Sequence, residues 1–325
     1  MKLPALTAWG RALLKRVGSA LIVVWLVATA VFAGMRLIPG DPAEAVMGGP
    51  GSQASAEALA AARAEFGLDL PWFQQYLNYL GRIATFDLGK SYSLRRPVAQ
   101  VIWEVFPPTL TLALVSLLLA WILALGLAAV AAGTGRVGKV VTAAVEIVAA
   151  ALPHFWLGSV LVIVFATGLG WLPATFDGTL PSLVLPALTL ALPTAGFLSH
   201  LMRDSIAAAM VSPFALVAQA RGETRWRIFL VHGLRHAAIP ALSLSGWALS
   251  AALSGAVVVE QIFARPGLGR ALVGAVLARD IPLVTGVTLV SAVIYVVVMA
   301  LVDSVQVRLD PRVAQASGDA NKGGQ

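Results

Sequence analysis

Gly133-Thr134-Gly135-Arg136-Val137-Gly138-Lys139-Val140 satisfies both G-x-G-x-x-G and the GxxxxGK opening of a phosphate-binding loop. That chemistry needs a preceding strand, a following soluble helix and a Ser or Thr hydroxyl for magnesium. Position 140 is Val and apolar runs flank the loop on both sides, so it reads as a short basic turn between two spans. His232 and His236 stand four apart, as metal ligands can, but Gly233 occupies the place of the Glu in H-E-x-x-H and no third ligand is near. Ser199 and His200 suggest intramembrane hydrolysis, yet adjacent residues point to different helix faces and no G-x-S-x-G occurs. With no cysteine, disulfides, thiol nucleophiles and thiolate metal sites are excluded. The expectation is a chain that is not an enzyme and that holds no metal and no cofactor of its own.

The remaining chemistry-bearing groups lie inside apolar runs, where an ionisable side chain is costly and marks a polar path or a bonded packing site. These are Glu146, His154, Glu260 and Asp303. Glu146 either lines a cavity or makes a buried hydrogen bond. His154 is read as bonding within the helix bundle, with a proton relay as the alternative. Glu260 and Asp303 lie near span ends, from which they can reach the membrane interface. Gly246, Ser250 and Ser254 form an i, i+4, i+8 stripe that lets another helix approach closely, within the chain or in a partner.

The elements that must position these groups follow from composition. Of 325 residues, 58% are hydrophobic and 12% charged, and mean hydropathy is +0.84. Soluble domains carry about 25% charge, so a water-soluble enzyme, a disordered chain and a collagen-like fibre are excluded. The net charge of +7 does not indicate nucleic acid, because the 23 Lys and Arg form no stripe and cluster between apolar runs. Crossing about 30 Å of hydrocarbon takes roughly 20 helical residues. Six runs qualify: 18–38, 109–132, 140–168, 183–202, 237–262 and 284–306. Pro153 predicts tilt or a kink in the third. The first run resembles a signal peptide but is too long for one, and reads as an uncleaved anchor.

Charge sets orientation. The short segment 133–139 carries two cations and 169–182 carries none, and the N-terminal segment 1–17 carries four, which favours an N-in, C-in topology. Arg265, Arg270 and Arg279 in the opposite loop dissent. The outer segment 39–108 leaves the first span through Pro39-Gly40-Asp41-Pro42. It then predicts a helix over 56–66, with Ser55 as N-cap and Gly67 as stop, and an amphipathic helix after Pro71. The apolar face of that helix, Trp72, Phe73, Tyr76, Leu77 and Leu80, rests on the membrane or the spans, or meets an external partner. The tail 307–325 is small and polar over 313–325 and reads as disordered there.

The inner segment 203–236 contains Pro213-Phe214-Ala215-Leu216-Val217-Ala218-Gln219-Ala220-Arg221-Gly222, a short helix stopped by glycine. On physical grounds it suits insertion into another protein's groove or rest on the membrane surface. Ala218 and Ala220 leave space for a partner to approach. The run Ala218-Gln219-Ala220-Arg221-Gly222, with Pro240 18 residues after the glycine, resembles the EAA loop of permease subunits of bacterial ABC importers, in the oligopeptide/dipeptide/nickel family. Nearly the whole chain shares the resemblance: Arg36 to Pro42, Phe66 to Pro71, Asp87-Leu-Gly-Lys-Ser91, Pro153 to Gly158, Gly170 to Pro173, Leu185 to Thr189, Val259 to Gly269, Arg279-Asp280 and Asp310-Pro-Arg312. It departs at Gln219, where Arg is common, and at Arg265, where an aromatic is more typical.

The resemblance implies an all-α, six-span inner-membrane permease that pairs with a second similar permease. Two cytoplasmic ATP-binding subunits would lie beneath it, and an extracytoplasmic binding protein would deliver solute. Phe214, Val217, Ala218, Ala220, Arg221, Gly222 and Pro240 would form the coupling loop. The implied cargo is peptide, with nickel or another small solute as the alternative; an ATPase-independent channel or scaffold is the rival class. Because the chain lacks cysteine, topology is directly testable. An Ala60→Cys variant is expected to react with an impermeant maleimide from outside, and an Arg225→Cys variant only after the inner face is exposed. The reverse pattern would invert the topology.

Overall fold

The computed structural model describes residues 8–37, 41–47 and 53–309, and within these not the side chains of 8–16, Pro42, Ala45, Arg225, His232, 238–240, Ser243, Asp303 and 305–309. Pro240 and Asp303 of the residues singled out above, together with His232, the Pro39-Gly40 exit and the tail beyond 309, therefore lie outside the described residues. Among the described residues the fold is helical, with one isolated antiparallel bridge between Lys90 and Pro97.

The long apolar runs become long helices. α1 is Ala8–Leu37, α5 Val98–Gly133, α8 Val184–Met210, α11 Leu234–Ile262 and α13 Ile281–Leu309; the shorter helices are α2 Pro42–Val46, α3 Ala56–Glu65, α4 Trp72–Ala84, α6 Arg136–Ala151, α7 His154–Leu161, α9 Pro213–Ala220, α10 Arg225–Ile228 and α12 Leu268–Leu277. Among the described residues four stretches are long and apolar enough to cross a membrane: Val17–Leu37, Val98–Gly133, Pro181–Met210 and Ile281–Val302. The run 140–168 is not one straight helix. α6 ends at Ala151 and the chain turns through 105° before α7, which continues to Gly168 as a π-helix. Pro153 explains the break, since it removes an amide donor and bars its predecessor from helical geometry. α6 alone reaches about 24 Å, short of the hydrocarbon thickness, so this run has the length and composition of a fifth span only when the bent pair is taken together. The glycine loop is a two-residue break, Thr134-Gly135, between α5 and α6, with helix rather than strand before it.

The chain divides into two compact units. One comprises Met1–Pro107 and Arg270–Val297. In it α3 starts on Ser55, whose Oγ accepts from Ala58 N at 3.2 Å, and stops before Gly67 at φ +62°. α4 divides its apolar face. Tyr76 OH lies 2.7 Å from Thr29 Oγ1 of α1, Tyr79 donates to the Ala28 carbonyl at 3.1 Å, and both rings stand against Phe32. Trp72, Phe73 and Leu77 stay exposed. Fully buried Asp280 caps α13 by accepting from Leu283 N at 3.1 Å. Its other oxygen takes Ser91 Oγ at 2.5 Å, Ser93 N at 2.9 Å and Ser93 Oγ at 2.7 Å, which pins the loop before α5.

The other unit comprises Pro108–Gly269 and Val298–Gln325. Its core is alanine-rich: Ala120, Ala124 and Ala128 of α5 meet Ala191, Ala195, Leu198 and Met202 of α8 and Ala237 and Ala241 of α11. Small side chains let helix backbones approach, which matters where lipid removes any hydrophobic gain from association. The closest approach is at Gly196 of α8, where a Cβ would stand 2.6 Å from the Glu146 carbonyl and 2.9 Å from Ala150 N of α6. The stripe on α11 is unevenly buried along its length. Gly246 is packed on the Val302 side chain, Ser250 is half-buried and Ser254 is exposed. Gly196→Val is therefore expected to lower the melting temperature in detergent by several degrees and to broaden the size-exclusion peak. Gly126→Ala, where a Cβ meets nothing within 4 Å, is expected to hold or raise stability, by up to about 1 kcal/mol.

Candidate functional site

Two constellations of the second unit carry the residues read as functional. The first is the inner segment. Ser212 precedes α9 with extended backbone, Pro213 takes the first helical position, and the helix lasts eight residues. Its end is a Schellman turn: Glu223 N donates to the Ala218 carbonyl at 3.1 Å and Gly222 N to the Gln219 carbonyl at 2.9 Å. Gly222 supplies the left-handed residue at φ +81°, with open space where a side chain would project.

α9 is seated on its own chain. Ala215 and Ala218 are buried against Ile228, with Met210 and Phe214 packed around them, and the Phe214 ring stacks on His236 at 4.8 Å. This corrects the expectation that Ala218 leaves room for a partner: it faces inward because three-residue spacing puts it on the face of Ala215. The outward face is Leu216 (58% exposed), Val217 (51% exposed), Gln219 and Ala220, running on to exposed Arg221 and Gly222. Leu216 was passed over in the sequence. An apolar residue one position from a buried alanine is the signal that identifies it.

The second constellation surrounds Glu146, which is fully buried on α6. Ser199 Oγ donates to it at 2.7 Å, and Arg203 Nη1 stands 2.8 Å from its second oxygen. His200 Nδ1 lies 3.7 Å from that oxygen and 2.7 Å from Arg203 Nη2. Of the two roles left open for Glu146, the geometry has a buried hydrogen bond, from Ser199, together with an ion pair to Arg203, whose side chain is partly exposed. Ser199 serves this carboxylate and His200 the guanidinium, so the adjacent pair forms no Ser–His dyad. Arg203 was missed, although Ser199 and Arg203 stand four apart and so share a face of α8.

The remaining polar residues are structural in their surroundings. Glu260 is fully buried rather than reaching an interface; Thr109 Oγ1 donates to it at 2.5 Å and accepts from Leu268 N at 2.8 Å. Gly267 and Gly269 approach its carboxylate so closely that a Cβ at either would collide with it or with Val257. His154 opens α7, half-buried, with its ring about 3.5 Å from the space a Cβ on Gly255 would fill. Arg265 lies with its guanidinium 5.1 Å from the ring centre of Phe176, which belongs to the segment between α7 and α8. Phe176 N bonds the Phe263 carbonyl at 2.8 Å and holds it there.

Removing one partner of a buried ion pair strands the other, at a cost of about 3–5 kcal/mol. Glu146→Ala and Arg203→Ala are each expected to destabilise the chain strongly. Glu146→Leu combined with Arg203→Leu should recover most of the loss in a thermal-shift measurement. Strictly additive losses would show that the two groups are not coupled.

Comparison with known proteins agrees with this architecture. A provisionally named peptide transport system permease protein of Brucella abortus (strain 2308) is 37% identical over 316 residues, covering 93% of this chain and 98% of that protein. The glutathione transport system permease protein GsiC of Salmonella choleraesuis (strain SC-B67) is 32% identical over 302 residues, covering 92% and 97%. The crystal structure of an amino acid ABC transporter with histidines shares the fold, with a TM-score of 0.51 at 17% identity over 65% of this chain and 94% of that one. Residues 10–113 match the N-terminal region of binding-protein-dependent transport system membrane components. With residues 127–315 matching the family described as binding-protein-dependent transport system inner membrane component, the chain belongs to that family, the multi-pass permeases of ABC importers.

Proposed function

We propose that this chain is one of two permease subunits of an ABC importer for small peptides, di- or oligopeptides or glutathione-like tripeptides, driven by ATP hydrolysis in separate cytoplasmic subunits. The observation that carries the reading is α9: a short helix seated on Ile228, closed by a glycine turn, with Leu216, Val217 and Ala220 outward. An apolar face held on a firm seat suits a groove in a cytoplasmic ATPase. An extracytoplasmic binding protein delivers the cargo from the opposite side. The peptide assignment rests on the names of the Brucella and Salmonella relatives.

In this reading the chain crosses the inner membrane six times, N-in and C-in. The bent pair α6–α7 counts as one span and α11 as another. Segment 1–17 and the tail 307–325 are cytoplasmic, 39–108 is the helical outer segment, and 203–236 is the coupling loop. The chain binds no ATP and needs no cofactor or metal. ATP binding favours one conformation only through contacts that differ between conformations, and α9 is where such contacts are made. The assignment is tested by uptake of a labelled dipeptide, glutathione and nickel in cells with and without the chain. Loss of peptide uptake alone is expected, and loss of nickel uptake alone would reassign the cargo.

Coupling is tested at the outward face. Gly222→Val places a β-branched residue at φ +81°, a strain of about 1–2 kcal/mol. Leu216→Glu puts a charge on the docking face without touching the core. Both variants are expected to insert at normal levels, lose ATP-driven uptake and release the ATPase on purification. Ala218→Trp is not a test of docking, because it would break the chain's own seat. Normal uptake by both variants would return the segment to a role at the lipid surface.

A further inference from the structure

The unit formed by Met1–Pro107 and Arg270–Val297 encloses a half-open cavity of about 400 Å³ that neither the coupling loop nor the Glu146 cluster involves. Its walls are aromatic and charged. Phe32, Phe66, Tyr79 and Tyr92 line it, together with Arg36, Arg63, Arg82, Asp41, Asp69 and Asp87. The charges balance and most are already matched: Arg63 pairs with Asp41, and Arg82 lies 3.3 Å from Asp87. The Arg63 guanidinium holds the Asp41 carboxyl below the usual range, and burial pushes the Tyr92 phenol up to about 12, so that wall stays uncharged. Two charges of opposite sign remain. Among the described residues Arg36 bonds an amide, Gln75, and lies over the Phe32 ring, and Asp69 feels the field of Arg63 without a close ion pair to it.

A second observation points to an occupant. Thr285, 5% exposed in the first turns of α13, lines the cavity, and its Oγ1 faces the Tyr79 hydroxyl and no other protein partner. Tyr79 gives its hydroxyl proton to the Ala28 carbonyl, so toward Thr285 it can only accept, which leaves the Thr285 oxygen without a donor. A buried hydroxyl oxygen that receives no donor is unfavourable, and a polar donor group of a ligand at this depth would satisfy it. The long helices contribute only terminal turns to the lining, Phe32 to Arg36 of α1 and Ile281 to Thr285 of α13; the rest comes from α3, α4 and the connecting segments. A lipid needs a lateral opening along the spans, whereas a small soluble zwitterion needs none.

We propose that this cavity is a binding site on the permease itself for a small zwitterionic peptide, with its carboxylate toward Arg36, its ammonium toward Asp69, its side chain against Phe32 and Phe66, and one polar group on Thr285. The volume falls in the range of small-molecule pockets, roughly 300–1,000 Å³. The proposal rests on the peptide reading above and adds that cargo is held by the permease itself as well as by the binding protein.

The test uses the full chain in lipid nanodiscs without any binding protein, with radiolabelled Ala-Phe as probe in equilibrium dialysis. Saturable binding is expected, lost when the dipeptide is acetylated at its amine and amidated at its carboxylate. Thr285→Val, a near-isosteric change, should weaken it about three- to tenfold. Asp69→Asn on the exposed rim should weaken it likewise without altering the melting temperature. Absence of saturable binding in a preparation whose assembled transporter imports the dipeptide would overturn this site and leave the cargo assignment standing. Import of no peptide by the assembled transporter would overturn the cargo assignment instead. Binding equal for the free and doubly blocked dipeptide, or tight copurification of phospholipid displaced by no peptide, would also overturn the zwitterion site.

Discussion

Helices that meet in hydrocarbon gain nothing from excluding lipid, so whatever holds them must come from close backbone approach and from polar groups that find each other. Both devices are concentrated where α6 crosses α8. Gly196 lets the two backbones come within a distance no side chain would permit, and the Glu146 carboxylate is buried beside it. Such a carboxylate is tolerable only with partners, and α8 supplies Ser199 and Arg203 on one face. The glycine and the ion pair depend on each other. Without the close approach, Ser199 and Arg203 would not reach Glu146; without the pair, the close approach would bury an uncompensated charge.

The same limitation explains the alanine-lined core of this unit and the broken helix beside it. Alanines at 120, 124 and 128 repeat every four residues along α5 and present a smooth ridge to α8 and α11. At Pro153 the chain gives up helical continuity, and α7 leaves at a steep angle with Gly158 against Thr189 and Phe263. Polar residues that stand alone in the sequence turn out to be paired. Glu260 takes a hydroxyl from Thr109, and Trp121 donates to Ser245 Oγ at 2.9 Å.

Much of this was legible in the sequence wherever the signal is local. Ser55, Gly67 and Pro71 bound α3 and the start of α4 through capping and φ preferences that a few residues decide. Gly222 was legible for the same reason, as a left-handed helix stop. What was not legible depends on tertiary partners. Hydropathy treats 140–168 as one run, because its signal is composition and not backbone direction, and the proline's effect on angle is set by what the next helix packs against. α5 starts at Val98 and not after Pro107-Pro108, since a proline pair inside a helix is tolerated when neighbours accommodate it. Asp280 appeared only as part of a shared run; its partners Ser91 and Ser93 lie nearly two hundred residues away. Burial of Ala218 was hidden because alanine's size is equally suited to a partner's surface and to the chain's own interior.

That inward seat of α9 bears on how force would pass through the subunit. Met210, the last residue of α8, packs with Phe214 on the cluster of Ala215, Ala218 and Ile228. α8 is helical from Val184 to Met210, and it carries Ser199 and Arg203 two to three turns back from that end. A displacement imposed on the outward residues of α9 therefore cannot be absorbed by the short helix alone, because its buried alanines would have to leave Ile228. The compliant points are the turns at Ser212 and Gly222, and both are hydrogen-bonded closed. Next inward, the pairing of Arg203 with Glu146 ties α8 to α6 through charged groups, with His200 3.7 Å from the carboxylate and hydrogen-bonded to the guanidinium. In the transport cycle proposed above, such contacts would define each arrangement and be re-formed by side chains after a shift, while the glycine crossing beside them keeps the helices together.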